Sequence, residues 1–296
     1  MVADSAVAGG SSFCRVGHFF RFSGGPFYLH ALLRKYWFVF AIYWQEGLSK
    51  RASFLMERFR AFVVLLSFYY FWSALLKHRT HFVGYDRHQI ITYVLGMNIL
   101  RSLVFATRTE EIPGEINHGR LSGYLLKPVN FMLYTFFRDL SEKSINLISS
   151  IIEICGLILL FHVLIQWPHN LGTWMLFVVA CAGATWLYFI LSFMTGCWGF
   201  WTSEAWGPRF LLELFLEFTA GAFFPLDVLP TMAQHIIKSF PSPYLIFFPL
   251  QIFLGKLDSN QIVNGFLIQF FWILVISGMA RVVWSKGMKN YSSAGS

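Results

Sequence analysis

Long apolar stretches, separated by short polar segments, follow one another from about residue 59 to near the end of the chain. A helix needs about 20 mainly apolar residues to cross a bilayer, and six stretches reach or nearly reach that length. They are 59–77, 88–107, 144–166, 173–201, 208–225 and 261–283. The sequence therefore predicts an all-α integral membrane protein with six transmembrane helices.

The composition agrees with this prediction. The chain has 296 residues, of which 56% are hydrophobic and 13% charged, whereas a soluble domain has about 25% charged residues. Since no long polar insertion divides the apolar stretches, we expect one membrane domain over 26–285. A mobile cytoplasmic tail is expected at 1–25, which lacks the pattern of a cleaved signal peptide, and a second cytoplasmic tail at 286–296. The role of the N-terminal tail cannot be read from the sequence.

The net charge of +8 could indicate nucleic acid binding, but the Lys and Arg residues lie beside apolar stretches rather than in an aromatic-rich patch. We therefore expect no nucleic acid partner. Six spans place both termini on the same side, and most of the 23 Lys and Arg residues fall on that side. The positive-inside rule then predicts that both termini are cytoplasmic.

A further apolar segment, before the first predicted span, is too short to cross. Its uninterrupted apolar run covers only 36–44, between Arg34–Lys35 and Glu46. A stripe at helical spacing, rich in aromatic residues, predicts a helix over 29–58 that lies in the inner membrane interface. The stripe consists of Leu29, Leu33, Tyr36, Phe40 and Trp44.

The segment 223–255 contains five of the ten prolines. Proline at this density prevents one continuous helix, and broken backbone at membrane depth must be covered by protein or face water. The sequence therefore predicts two short re-entrant helices on the outer side, between the fifth and sixth spans. The expected turn residues are Gly221, Pro225 and Pro230.

The sequence contains no recognisable catalytic or nucleotide-binding motif. It has no Walker, zinc-protease, nucleophile-elbow or dinucleotide motif, so we expect no catalytic residue and no bound nucleotide. His78, His81 and His88 cluster near an outer loop, but the adjacent basic residues Lys77 and Arg79 would repel a metal ion. A solvated loop is expected there rather than a metal site.

Ionisable residues inside predicted spans are informative, because a charge at the bilayer centre costs about 2.5–3.5 kcal/mol even on the lenient insertion scale. The candidates are Arg101, Glu153, Glu213 and Glu217. Arg101 and Glu153 lie at matching depths. They either pair, or Arg101 extends to the interface while Glu153 is protonated, and the two alternatives have equal weight. Glu213 and Glu217 are four residues apart and share a helix face, which should point at protein or water.

The fourth span carries Ala180, Ala184, Ser192 and Gly196 at small-xxx-small spacing. Such residues let helices approach closely. Packing within the chain is the preferred explanation over a subunit interface.

A polar segment between the second and third spans, "EINHGRLSGYLLKPVN", carries a family resemblance. Its order of Gly119, Leu121 and 124–128 resembles the permease subunits of type-2 ABC exporters, in the branch of antibiotic-resistance-like and uncharacterised permeases. The outer "GAFFPLDVLP" and "FPSPYLIFFPLQIFLG" are similar to the same family's pattern between its fifth and sixth spans. The resemblance covers about 30–285.

The resemblance implies a permease of the bacterial plasma membrane, paired with an identical or homologous second permease. ATP and magnesium would bind to separate cytoplasmic ATPase subunits, and the substrate would be exported. The ATPases would dock on the interfacial helix and on the polar segment. The coupling residues so implied are Gly119, Leu121, Tyr124, Leu125, Lys127 and Pro128.

The residues of the chain also allow alternatives to this function. The polar segment could be a turn lying on lipid headgroups. The chain could be a membrane-embedded lipid-modifying enzyme, which would act without an ATPase, or an ion channel or scaffold independent of ATP. The substrate cannot be read from the sequence.

Overall fold

A computed structural model describes residues 26–77, 81–82, 84–168 and 170–291, without the side chains of 26–33, 81 and 82. The predicted N-terminal tail, His78 and the last five residues lie outside these ranges. The described chain is mostly helical and contains a small antiparallel hairpin, in which Phe82 pairs with Tyr85. The strands are β1 (His81–Phe82) and β2 (Tyr85–Asp86). The helices are α1 (Pro26–Ser49), α2 (Arg51–Leu75), α3 (Arg87–Val104), α4 (Ile112–Asn117), α5 (Leu121–Leu125), α6 (Phe131–Phe161), α7 (Leu171–Gly196), α8 (Trp206–Thr219), α9 (Thr231–Lys238), α10 (Phe247–Phe253) and α11 (Ser259–Asn290).

Three of the described helices, α6, α7 and α11, are long and apolar enough to cross a membrane. A fourth is possible if α3 and the bent segment Thr109–Asn117 count as one span. These helices make the chain a multi-pass membrane protein. The described α8 has 14 residues, a length of about 21 Å at 1.5 Å per residue, so it is too short to span alone. The predicted count of six spans therefore remains a prediction.

The core of the molecule surrounds α7, which is apolar on all sides as expected of an interior helix. It packs against α3, α10 and α11. Its small residues Ala180, Ala184, Ser192 and Gly196 are buried. A Cβ atom on Gly196 would lie 3.1 Å from Ile112, and Gln269 of α11 donates to the Ala180 carbonyl at 3.0 Å. These small residues therefore serve packing within the chain, as predicted.

The N-terminal region corrects the predicted interfacial helix over 29–58. A break at Lys50 ends α1 at Ser49, and α2 then continues to Leu75. Ser49 Oγ donates to the Glu46 carbonyl at 2.7 Å, a local bond that competes with helix continuation. Hydropathy does not detect such a break.

The apolar stripe of α1 also faces differently from the prediction. Tyr36 is buried, and its ring stacks on Phe137 of α6 with ring centroids 5.3 Å apart. Trp37, Phe38 and Ile42, which lie off the predicted stripe, are exposed apolar side chains. Part of the predicted stripe therefore contacts α6, and a neighbouring face of α1 is exposed.

Two helix ends differ from the predicted spans. The third predicted span begins at 144, but α6 begins at Phe131, where the Asn130 side chain accepts a hydrogen bond from Leu133 N. The predicted tail at 286 lies within α11, which continues to Asn290. In both cases the helix extends through polar residues, whereas hydropathy alone places the end of the helix at the border of the apolar stretch. The proline-rich segment contains two short helices, α9 and α10; their predicted re-entry into the outer leaflet stays a prediction.

Candidate functional site

The polar segment that carried the family resemblance folds as two short helices joined by a turn. Gly119 has a φ of 69°, a left-handed conformation that glycine adopts at low cost. The turn directs the chain from α4 into α5. The Asn117 side chain donates to the carbonyls of Thr202 and Ser203 at 3.4 and 3.2 Å, so α4 is tied to the loop that precedes α8.

Two of the predicted coupling residues point into the protein. Leu121 is fully buried in the core. The Tyr124 ring lies 5.5 Å from Phe131 and 4.9 Å from Tyr134, centroid to centroid. Burial, assisted by nearby Glu115, raises the pKa of Tyr124, so its hydroxyl stays neutral. Tyr124 therefore holds α5 onto α6 and Leu121 is enclosed in the core, so neither is free to enter a partner's pocket.

The outward part of the segment is its C-terminal end. Leu125 is 45% exposed and Leu126 is 88% exposed, and Lys127 and Pro128 are also exposed. The predicted coupling residues do not include Leu126, although it directly follows Leu125 in the quoted motif. We refer to 119–128 as the α5 segment; it presents two adjacent leucines to its surroundings.

A buried ion pair connects α4 to α6. Arg138 Nη1 lies 2.5 Å from Glu115 Oε1, and the two side chains are 1% and 7% exposed. Glu111, at 3.6 Å, adds a second, exposed carboxylate. Arg138 also lies over the ring of Tyr43 of α1, 5.8 Å from its centroid. Since burial of an unpaired charge is costly, this contact fixes α4 relative to α6.

A second buried pair holds the linker between α3 and α4, which we define as 105–111. Asp139 and Lys143 of α6 are both fully buried, with Lys143 Nζ 3.3 Å from Asp139 Oδ2. Lys143 donates to the carbonyls of Val104 and Ala106, which suits a cation at a helix C-terminus. Asp139 accepts hydrogen bonds from Thr107 Oγ1 at 2.6 Å and from the Arg108 amide at 2.9 Å.

The linker also contacts α1, α7 and α8 through polar groups. Arg108 Nε lies 3.0 Å from Glu142, and Nη1 lies 3.6 Å from Glu46 of α1. Arg209 of α8 donates to the hydroxyls of Thr109 and Ser192, each at 2.8 Å. One short connection is therefore bonded to several other helices. The sequence indicated Ser192 only as a small packing residue and did not single out the others, because polar residues in a loop ordinarily face solvent.

The predicted pairing of Arg101 with Glu153 is wrong. Arg101 instead makes a two-point contact with Glu217 of α8, with distances of 2.8 Å from Nη2 to Oε2 and 3.2 Å from Nε to Oε1. Glu153 lies beside Arg58 of α2, at 3.8 Å. Matching depths specify only the position along the helix axes. The direction in which each side chain leaves its helix decides the partner.

The shared face of Glu213 and Glu217 does point at protein. Glu213 Oε1 accepts a hydrogen bond from Arg209 Nε at 2.9 Å, one turn before it, and Glu217 meets Arg101. The Glu217 side chain is 18% exposed and that of Arg101 is 35% exposed, so this pair lies at the edge of the molecule rather than in its centre.

The predicted outer turn residues lie at a closely packed corner. Gly221 has a φ of 81° and its carbonyl accepts a hydrogen bond from Tyr93 Oη at 2.9 Å. Pro225 precedes a single 3-10 turn and Pro230 directly precedes α9. Both prolines therefore stand where a helical turn begins, as their fixed φ favours.

A group of polar side chains fixes this corner to the β hairpin. Asp227 accepts hydrogen bonds from Tyr85 Oη at 2.5 Å and from Gln251 Nε2 at 2.9 Å, and Gln251 also contacts the Tyr85 hydroxyl. Lys256 Nζ lies 3.1 Å from the centroid of the Tyr85 ring. Burial, with the hydrogen bond to Asp227, raises the pKa of Tyr85 and keeps it a donor. The sequence pattern did not indicate Asp227 and its partners.

Metal-ligating side chains are not grouped in the part of the chain that the structure describes. No three or more His, Cys, Asp or Glu side chains there lie close enough together to hold a metal ion. Of the three histidines near the outer loop, only His88 has a described side chain.

Comparison with known proteins places these features within one family. The family model for "ABC-2 family transporter protein" matches residues 62–295, more than three quarters of the chain. The match includes the linker, the α5 segment and the corner at Gly221, and it begins within α2. No curated protein sequence matches the chain.

Proposed function

This chain belongs to the ABC-2 transporter family, and on that premise we propose that it is the permease subunit of an ATP-driven exporter. Proteins of this family are membrane components of transport systems rather than catalytic enzymes. In the proposal, separate cytoplasmic subunits bind ATP and magnesium and hydrolyse the nucleotide. The permease has six spans in the bacterial plasma membrane, with both termini in the cytoplasm.

The observation that supports this proposal most strongly is the connectivity of the α5 segment. Its exposed end, Leu125 to Pro128, is free for an ATPase, while Leu121 is buried in the core and Tyr124 packs against Phe131 of α6. A push on the exposed end would therefore pass to α6 through Tyr124 and through the Glu115–Arg138 pair. A turn that merely lies on headgroups has no need of these buried charges.

The hydrogen bonds of the linker would transmit the same movement to other helices. Thr107 and Arg108 are bonded to Asp139, and Thr109 to Arg209. Because packed, hydrogen-bonded elements move together, α3, α6 and α8 would respond as a unit when the ATPases close.

A second permease, identical or homologous, completes the proposed transporter. The exposed face of α8 carries Phe210, Leu214 and Phe218. The partly exposed pair of Glu217 with Arg101 of α3 lies on the same helix. Charges at membrane depth are costly against lipid, so this face suits a protein partner or a water-filled pathway. The short helices α9 and α10, held by Asp227, are proposed to re-enter the outer leaflet and close the outer side.

The test is reconstitution in liposomes. We expect the purified chain alone to hydrolyse no ATP, and hydrolysis sensitive to orthovanadate to appear only when an ATPase subunit that co-purifies from native membranes is present. Hydrolysis by the chain alone at the rate of the complex would overturn the proposal.

A further inference from the structure

The last helix, α11, ends against the α5 segment. The hydroxyl oxygen of Tyr291, the residue that follows α11, accepts a hydrogen bond from the Ser122 amide at 3.1 Å. The Tyr291 ring also contacts that of Phe200, with centroids 6.0 Å apart, and a side chain on Gly287 would clash with the same Phe200 ring. The α5 segment and the C-terminal end of α11 are therefore joined and closely packed.

Four exposed cations lie on these two joined elements. Arg120 and Lys127 belong to the α5 segment. Lys286 and Lys289 are three residues apart near the end of α11, a spacing that places both on one side of the helix. Among the ion pairs of the described residues, none involves any of the four. We refer to these four residues as the basic face.

The basic face has no carboxylates of its own to compensate its charge. No Asp or Glu occurs between Ile116 and Phe137, or anywhere after Asp258. The positive-inside rule accounts for Lys and Arg residues at a cytoplasmic end, but acidic residues contribute little to that rule and are not excluded by it. The basic face is thus complementary to an external surface of negative charge.

The α5 segment lies beyond the expected layer of lipid headgroups. It directly precedes Phe131, where α6 begins, whereas the apolar stretch of α6 begins at 144. The intervening part of α6 is about 20 Å long at 1.5 Å per residue, and a headgroup layer is about 5–8 Å thick on each side of the bilayer. Residues 131–137 of this extension are buried or half-buried by protein. The exposed leucines of the α5 segment therefore reach water, where a protein is the partner that fits them.

We infer that the ATPase docks on the α5 segment and the C-terminal end of α11 together, and that the ATPase surface is an apolar pocket with an acidic rim. The two exposed leucines enter the pocket, and the basic face meets the carboxylates of the rim. This inference rests on the proposed function, to which it adds a second element of the contact and the charge of the partner. Charges at the rim of an interface accelerate encounter more than they strengthen the complex.

The experiment measures the association rate of the ATPase with the permease. The ATPase is released from the complex purified from native membranes and is rebound to the permease in nanodiscs of phosphatidylcholine, which has no net charge. The double variants Arg120→Glu/Lys127→Glu and Lys286→Glu/Lys289→Glu should each remain monodisperse and lower the association rate at low salt at least about fivefold. In about 1 M salt, which screens charges beyond about 3 Å, most of this decrease should disappear.

Lys77→Glu/Arg87→Glu is the matched control. These two cations are also exposed, but they lie beside the β hairpin, after α2 and at the start of α3. The control should bind the ATPase at the native rate. An unchanged rate in either double variant of the basic face, or an equal decrease in the control, would overturn the inference.

Anionic headgroups are the other occupant that could fit the basic face. Charge-reversed variants that bind the ATPase at the native rate but retain less phosphatidylglycerol after purification would show that the face binds lipid, and the inference would be wrong. Loss of binding in Leu125→Ser/Leu126→Ser, with no effect of the charge reversals, would overturn this inference and leave the proposed function standing. A native chain that binds no ATPase at any salt concentration would contradict both.

Discussion

The guanidinium of Arg138 and the carboxylate of Glu115 lie 2.5 Å apart and are almost completely buried. They join the short helix α4, before the α5 segment, to the long helix α6. Removal of one member of a buried pair leaves an unpaired charge, at a cost of about 3–5 kcal/mol, whereas replacement of both by apolar residues is often tolerated.

We predict that Arg138→Leu and Glu115→Leu each strongly reduce the folded yield, and that the double variant recovers part of the loss. Size-exclusion chromatography of a fluorescent fusion measures this yield. Lys50→Ala is a suitable control, since the Lys50–Glu46 pair is exposed and such pairs contribute little. Losses that simply add in the double variant would mean that the pair is not coupled.

The second prediction concerns Arg101, whose partner in the structure is Glu217. Arg101→Glu should reduce the folded yield, and exchange of the two charges, Arg101→Glu with Glu217→Arg, should restore part of it. The same exchange with Glu153 should restore nothing, because Glu153 lies beside Arg58. Recovery with Glu153 but not with Glu217 would contradict the observed contact.

The third prediction tests the corner at Gly221. A Cβ atom there would lie 2.7 Å from Tyr93 Oη, and the φ of 81° is unfavourable for alanine. Gly255 has a comparable φ of 65° but open space around it. Gly221→Ala should therefore lower the Tm more than Gly255→Ala does. Equal decreases in thermal unfolding experiments would show that only the backbone conformation matters at this corner.

The sequence predicted the helices better than their contacts. Long apolar stretches located α7 and α11, and proline spacing located α9 and α10, because these signals are local. Hydropathy extended the third span only back to 144, although the polar first turns of α6 contain Arg138, Asp139 and Lys143, which bind α4 and the linker. Polar residues in such a region ordinarily indicate solvent, and only the packing reveals that these are buried.

The contacts of the candidate site were likewise not predictable from the sequence. The motif identified the α5 segment, but it assigned Leu121 and Tyr124 to a partner surface. An isolated five-residue helix does not specify which side it buries, and the contact between Tyr124 and Tyr134 depends on how α6 lies beside it. Arg101 and Glu153 were placed at equal depth, but depth does not determine the direction of a side chain.

The proposed docking of an ATPase on the α5 segment can be tested by measuring the ATPase recovered with the permease. The change is Leu125→Ser with Leu126→Ser, which removes the two exposed leucines and leaves Leu121 and Tyr124 in place. Buried anchors at interfaces contribute about 2 kcal/mol or more, which corresponds to about thirtyfold in affinity. Met232→Ser with Ile236→Ser is the matched control, because these residues are also apolar and exposed but lie on α9.

The measurement is the orthovanadate-sensitive ATP hydrolysis recovered per mole of affinity-purified permease. We predict that the leucine double variant inserts normally and recovers little of this activity, that Lys127→Ala loses less, and that the α9 control loses none. Undiminished recovery by the leucine double variant would contradict docking on the α5 segment and place the coupling surface elsewhere on the molecule.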